Sequence, residues 1–187
     1  MAINLVKGET IGVASSLTQV AVGLGWDPND GSGHDFDLDA SAFMLGNGGH
    51  LVSDEYLVFY NNQESPDGSV KSSGDDLTGG NSEEGDDETL FVDLTKVNPL
   101  VQEILFTATI YKAADRKQNF GQVSNAYIRL YNMVNDEEIA RFDLGEDFSV
   151  ETAVEFARLY RYQGGWKFKA LGLGNKNGLE GLVAKYQ

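Results

Sequence analysis

The sequence predicts an all-β fold, an antiparallel β-sandwich of two sheets with a short C-terminal helix, on three observations. Short runs of β-branched and aromatic residues recur with a two-residue alternation. Turn signals separate them, with 22 glycines against 3 prolines. Only the last segment, with Leu179, Leu182, Val183 and Tyr186 at helical spacing after Gly178, reads as helix. Many short strands joined by turns bury their apolar faces best as two packed sheets. A length of 187 residues and a hydrophobic content of 41% suit one ordinary domain with a real core.

Taken in order, residues 3–6 form a short strand that Lys7-Gly8 breaks. Residues 17–26 form a second, because Val20, Val22, Leu24 and Trp26 alternate with smaller or polar residues. Residues 27–33 combine proline, Asx residues and glycine and read as a loop. A third strand spans 33–44, with Asp35, Asp37 and Asp39 on one face and Phe36, Leu38, Ala40, Ala42 and Met44 on the other. That alternation opposes a comb of carboxylates to a core face. After a turn at 46–49, residues 56–60 are apolar on both faces and read as a central strand, ended by Asn61-Asn62. The stretch 63–88 is long, rich in glycine and poor in large apolar residues, which marks a functional loop. Strand resumes at 89–94, Pro99 opens a brief helical turn, and 104–111 is strand. Residues 126–133 and 138–144 flank a hairpin loop at 134–137. Residues 153–162 and 166–171 form a second hairpin about Gln163-Gly164-Gly165, although alanine, glutamate and arginine in the first arm also suit a helix. Gly172, Gly174 and Gly178 with Lys176 make a turn before the last helix, since no Gly-Lys-Ser/Thr ending supports a phosphate loop.

Charge and composition exclude several function classes. A formal net charge of −15 opposes nucleic-acid backbones and, without a bridging cation, anionic membranes. With no cysteine and 2 histidines, disulfides, thiolate chemistry and nitrogen- or sulfur-rich metal sites drop out, and oxygen ligands remain. No stretch is apolar enough to cross a membrane and the N-terminus lacks a signal-peptide core, so a cytoplasmic location is expected. The charge is segregated: residues 27–93 hold most of the acid runs, whereas 111–131 and 158–176 hold much of the base.

The chemistry should therefore lie in the acidic half. Neighbouring carboxylates about 7 Å apart on a strand face repel by roughly 2 kcal/mol at an effective dielectric of about 20, and a hard cation would offset that repulsion. Glycine-flanked acids at 74–80 and 83–88 can bring further carboxylates and backbone carbonyls to the same ion. An EF-hand is excluded, because Ala40 and Gly46 stand where its glycine and its last glutamate belong. Two other readings stay open at this point, a plainly solvated acidic face and an Asp-x-Asp magnesium site for group transfer. His34 and His50 fall in or beside loops and have no assigned role.

Five ordered motifs then carry a resemblance. Residues 23–27 (Gly-Leu-Gly-Trp-Asp), 35–43 (Asp-Phe-Asp-Leu-Asp-Ala-Ser-Ala-Phe), 59–62 (Phe-Tyr-Asn-Asn), 74–79 (Gly-Asp-Asp-Leu-Thr-Gly) and 85–88 (Gly-Asp-Asp-Glu) are similar to motifs of the TerD family. The likeness continues through 118–121 and 141–144 and spans the chain as one TerD-like domain, 1–187. It implies a tellurium-resistance or general-stress protein without enzymatic activity, whose β-sandwich binds calcium through acidic loops at one edge. The implied ligands are Asp37, Asp39, Asn61, Asn62, Asp75, Asp76, Asp86, Asp87 and Glu88, with Asp27 and Asp35 at the margin. Asp76 stands where the family usually has asparagine, and the acids between 79 and 85 have no assigned role. The implied partners are calcium ions and other stress-response proteins. The rival is a magnesium- or manganese-dependent hydrolase or transferase using the same carboxylates. It lacks support because the motifs hold no histidine, lysine or cysteine for acid–base work, nor any base to neutralise the acids.

Overall fold

The computed structural model describes residues 2–80, 85–144 and 148–187. Its strands in chain order are β1 (Ile3–Asn4), β2 (Thr10–Val13), β3 (Gln19–Gly25), β4 (Leu38–Leu45), β5 (Leu57–Val58), β6 (Val70–Ser72), β7 (Glu88–Asp93), β8 (Glu103–Ile110), β9 (Tyr127–Asn132), β10 (Glu138–Asp143), β11 (Ala153–Tyr162) and β12 (Gly165–Asn175). A single helical turn α1 (Ala113–Arg116) follows β8, and α2 (Gly178–Tyr186) follows β12. One sheet has the order β1-β10-β9-β3-β7-β6 and the other β2-β12-β11-β8-β4-β5. Pairing is antiparallel except for the short parallel contact of β1 with β10.

The alternation seen in the sequence sets the core. Val20, Val22 and Leu24 of β3, Leu90 and Val92 of β7, and Ile128 and Leu130 of β9 face Leu38, Ala40, Ala42 and Met44 of β4 and Ile104, Phe106 and Ala108 of β8. These residues are all buried, as packing of two aligned sheets requires. The opposite face of the second sheet is covered too: Phe43, Leu45, Leu57 and Leu105 meet Leu182 of α2. Glu155 of β11 anchors that helix, accepting from Tyr186 Oη at 2.8 Å and pairing with Lys185 at 2.5 Å. Strand β4 is thus buried on both faces.

Several elements differ from expectation. Strand starts at Leu38, not at 33, so Asp35 and Asp37 lie on the extended approach and only Asp39 belongs to β4. The segment 56–60 is not a central strand: Asp54–Tyr56 forms a 3-10 turn, and two residues, Leu57–Val58, pair at the sheet edge. Their burial comes from packing above and below, which mimics a central strand's apolar pattern. The 63–88 stretch contains β6, a three-residue edge strand, and β2 is an unforeseen edge strand beside β12. Pro99 lies in a turn closed by Val101 N donating to Asn98 O at 2.9 Å, not in a helix. Strand β12 runs on through Gly172 and Gly174, where a turn was expected. The shift of pairing at Glu155/Ala157 and the φ of +60° at Gly172 let it continue as an irregular strand.

Candidate metal centre

At one end of the sandwich, Asp37 and Asp39 enter β4 while Asp75 approaches from the loop after β6. Each of the three offers a carboxylate oxygen, and these oxygens lie within 4.8 Å of one another. Asp37 and Asp39 are both 4% exposed, whereas Asp75 is open to solvent. Antiparallel pairing of Leu38 with Ile110 and Asp39 with Thr109 fixes the strand, and Tyr111 N donates to Asp37 O at 2.8 Å.

Glu88 ties the loop to that strand. Its carboxylate accepts from Ala40 N at 2.7 Å and from Asp76 N at 3.1 Å, bridging the two sheets and seating the residue next to Asp75. Asp76 Oδ1 accepts from Thr78 N at 2.9 Å and Gly79 N at 3.0 Å, closing an Asx turn. Gly79, with φ +72°, passes so close to the Trp26 ring that a Cβ there would overlap it. Trp26 is itself held by its Nε1 donating to Phe36 O at 2.9 Å and by its backbone N donating to Asp87 Oδ2 at 2.9 Å.

Crowding carboxylates in a buried place disfavours their charged forms. Burial, reinforced by Asp37 and Asp75, pushes Asp39 up to about 7, and Arg116 only partly opposes it. Burial pushes Glu88 up to about 8 despite its two backbone donors, with Asp39 and Asp75 adding to the rise. Asp37 is raised by burial as well, although Arg116 Nη1 sits 3.1 Å from its Oδ2 and pulls the other way. Burial and neighbouring charges set the shift of Asp39, and no hydrogen bond among the described residues contributes to it. Oxygen-only donors, negative charge and an unused buried carboxylate fit a hard divalent cation.

The remaining sequence-derived ligands stand outside this triad. Asp86 pairs with Arg129 at 2.7 Å and accepts from Tyr127 Oη at 3.2 Å, its carboxylate lying where a Cβ on Gly23 would be. Asp87 caps the Trp26 backbone, and Asp27 accepts from Asn125 Nδ2 at 2.6 Å on the surface. Asp35 is exposed, with Gln118 Nε2 donating to its carbonyl at 3.0 Å. Asn61 is exposed, and Asn62 spends its amide on Glu55 O at 3.0 Å and Leu57 O at 2.7 Å, closing the turn after β5. Glu83 and Glu84 lie outside the described residues.

The expectation that no base lies near the acidic motifs fails. Arg116 and Arg129 come from the basic stretch 111–131 and neutralise Asp37 and Asp86. The signal for Arg116 was available: a segment that follows β8 must emerge beside the segment that enters β4, because the two strands are antiparallel.

A family model described as TerD domain matches residues 1–186. A tellurium resistance protein TerD of Alcaligenes sp is 49% identical over 189 residues, covering 100% of this chain and 97% of that protein. General stress protein 16U of Bacillus subtilis (strain 168) is 48% identical over 191 residues, covering 100% of this chain and 97% of that protein. A crystal structure of a homologue of telluride resistance protein (TerD) from Streptomyces coelicolor A3(2) shares the fold, with a TM-score of 0.71 at 22% identity over 89% of this chain and 95% of that one. With a family match running to residue 186 and full-length relatives at this level of identity, the chain belongs to the TerD family.

Proposed function

We propose that this chain is a non-enzymatic, cytoplasmic calcium-binding protein of the stress response, whose ion is held by Asp37, Asp39 and Asp75 and orders the acidic loops into a surface for another stress-response protein. The observation that carries the reading is the Asp39 carboxylate, 4% exposed, with no hydrogen bond among the described residues holding its charge, and within 4.8 Å of two further carboxylates. A buried charge left without a donor is costly, and a divalent ion offsets it. Calcium suits the site better than magnesium, because one member of the triad sits on an exposed loop that adapts to irregular coordination. The names of the relatives, tellurium resistance and general stress proteins, supply the physiological setting. The absence of thiols argues against soft-ligand capture of tellurium itself. No helix among the described residues is long and apolar enough to cross a membrane.

The test is calorimetric titration of chelator-treated protein with calcium and then magnesium. Calcium binding that Asp39→Asn and Asp75→Asn weaken, with magnesium clearly weaker, is the expected result. Equal affinity for both ions would favour a magnesium site, and no binding of either would leave a solvated acidic edge.

A further inference from the structure

A cavity of about 410 Å³ opens beside Asp39, between α1 and the N-terminal end of α2. Tyr60, Thr109, Tyr111, Lys112 and Lys176 line it together with Asp39. A volume of this size matches pockets for small molecules. Lys112 and Lys176 form no ion pair among the described residues. Lys112 has a left-handed backbone, φ +51°, and its ammonium lies 5.2 Å from the centre of the Tyr111 ring. Lys176 directly precedes Asn177, the N-cap of α2, whose side chain makes no capping bond. The positive end of that helix faces the same space, since Asn177, Gly178 and Leu179 also line it.

Two signs of charge therefore meet in one cavity. A hydrogen bond from Val150 N lowers the Glu151 carboxyl, and Lys176 lies near enough to lower it further. Neither exposed lysine closes a salt bridge among the described residues, so both ammoniums remain within reach of a ligand in the cavity. Asp115 and Glu180 border the cavity with Asp39, so it repels a free anion, and neutralising the triad would lessen that repulsion. Three carboxylates leave coordination positions open on an ion that takes six to eight oxygens, and Asp39 belongs both to the triad and to the cavity wall.

We infer that the cavity takes a small anionic molecule through its phosphate or carboxylate group, whose oxygens complete the coordination of the ion at Asp37, Asp39 and Asp75 while Lys112 and Lys176 balance its charge. This rests on the calcium reading above. Binding of ion and anion is then coupled, and each tightens the other by the same factor.

The experiment is calorimetry of the full chain with glycerol 3-phosphate and with succinate, each in saturating calcium and in chelator. At least one probe should bind about tenfold tighter with calcium, and that probe should tighten calcium by the same factor. Which probe responds assigns phosphate or carboxylate. Lys112→Gln and Lys176→Gln should each weaken the probe by about two- to fivefold, the range of an exposed charge pair, with Lys→Arg restoring it. Calcium affinity without probe should not fall in the Lys→Gln variants, since each removes a positive charge near the ion. Calcium binding with no response to either probe, a response equal in chelator, or indifference to both lysines would overturn the inference alone. Failure of calcium to bind in the probe-free titration would overturn both it and the function proposed above.

Discussion

Asp39 shows how far a single residue could be read. Alternation placed it on a carboxylate face and gave it a metal-binding role, yet the same alternation put Asp35 beside it, and Asp35 lies exposed outside the triad, whereas Asp37, adjoining the first paired residue Leu38, is buried within it. Periodicity reports which way a side chain would point in a strand, not where the strand begins. Asp86 was harder still, since nothing local in Gly85-Asp86-Asp87-Glu88 distinguishes a ligand from the partner of a distant arginine. Asp39→Asn should therefore weaken calcium at least about tenfold, as loss of a charged ligand oxygen does, while Asp143→Asn, an exposed residue paired with Arg141, should leave it unchanged. The raised groups also set a pH dependence for the metal-free protein. Asp39 at about 7 and Glu88 at about 8 hold protons in the folded state that the unfolded chain releases near 4. The native state then binds more protons between those limits, so stability is fully present below pH 4 for these two groups and is lost as pH rises through 7 to 8. Thermal melts in chelator should fall from pH 6 to pH 8.5, and saturating calcium should remove the part of that fall that belongs to Asp39 by replacing its proton.

At the scale of elements, the long alternating strands were legible and the short ones were not. β3, β8, β9 and β11 carry enough period-two signal to be placed within a few residues. β5 and β6, of two and three residues, exist because β4 and β7 offer them an edge, and no local pattern encodes such an edge. The 85–88 motif splits into different tasks once seated against its neighbours: Asp86 braces β9 through Arg129, and Glu88 ties the loop to β4. Asp86→Ala would leave Arg129 half-paired in a mostly buried place and should cost about 2–3 kcal/mol. Calcium affinity of that variant should stay within a few-fold of the parent, because Asp86 lies outside the triad. Denaturant melts and calcium titrations on the same sample separate the two effects, and a large loss of affinity with intact stability would make Asp86 a ligand.

For the molecule as a whole, charge segregated along the chain is partly neutralised in space, since bases from 111–131 reach acids of the first half. The net charge of −15 is unaltered by that pairing, and the protein should retain neither duplex DNA nor anionic vesicles in chelator at physiological salt, as a pull-down would register. A ligand of the native state at a hundredfold excess over its dissociation constant stabilises by about 2.7 kcal/mol, which for a domain of this size should raise the melting point by about 5–11 °C in calcium. Magnesium at matched ionic strength should do much less, and an equal shift would point to screening instead of a calcium site. The burial of β4 on both faces reaches beyond packing. Leu38, Ala40, Ala42 and Met44 anchor the space between the sheets, while Phe43 and Leu45 anchor the layer under α2, so one strand is a member of both apolar clusters. A strand cannot leave one of its faces and keep the other, which joins the two layers into a single cooperative unit. Calorimetric heating should accordingly show one heat-absorption peak, with the calorimetric and van't Hoff enthalpies equal, and the ion should be released in that same transition instead of ahead of it.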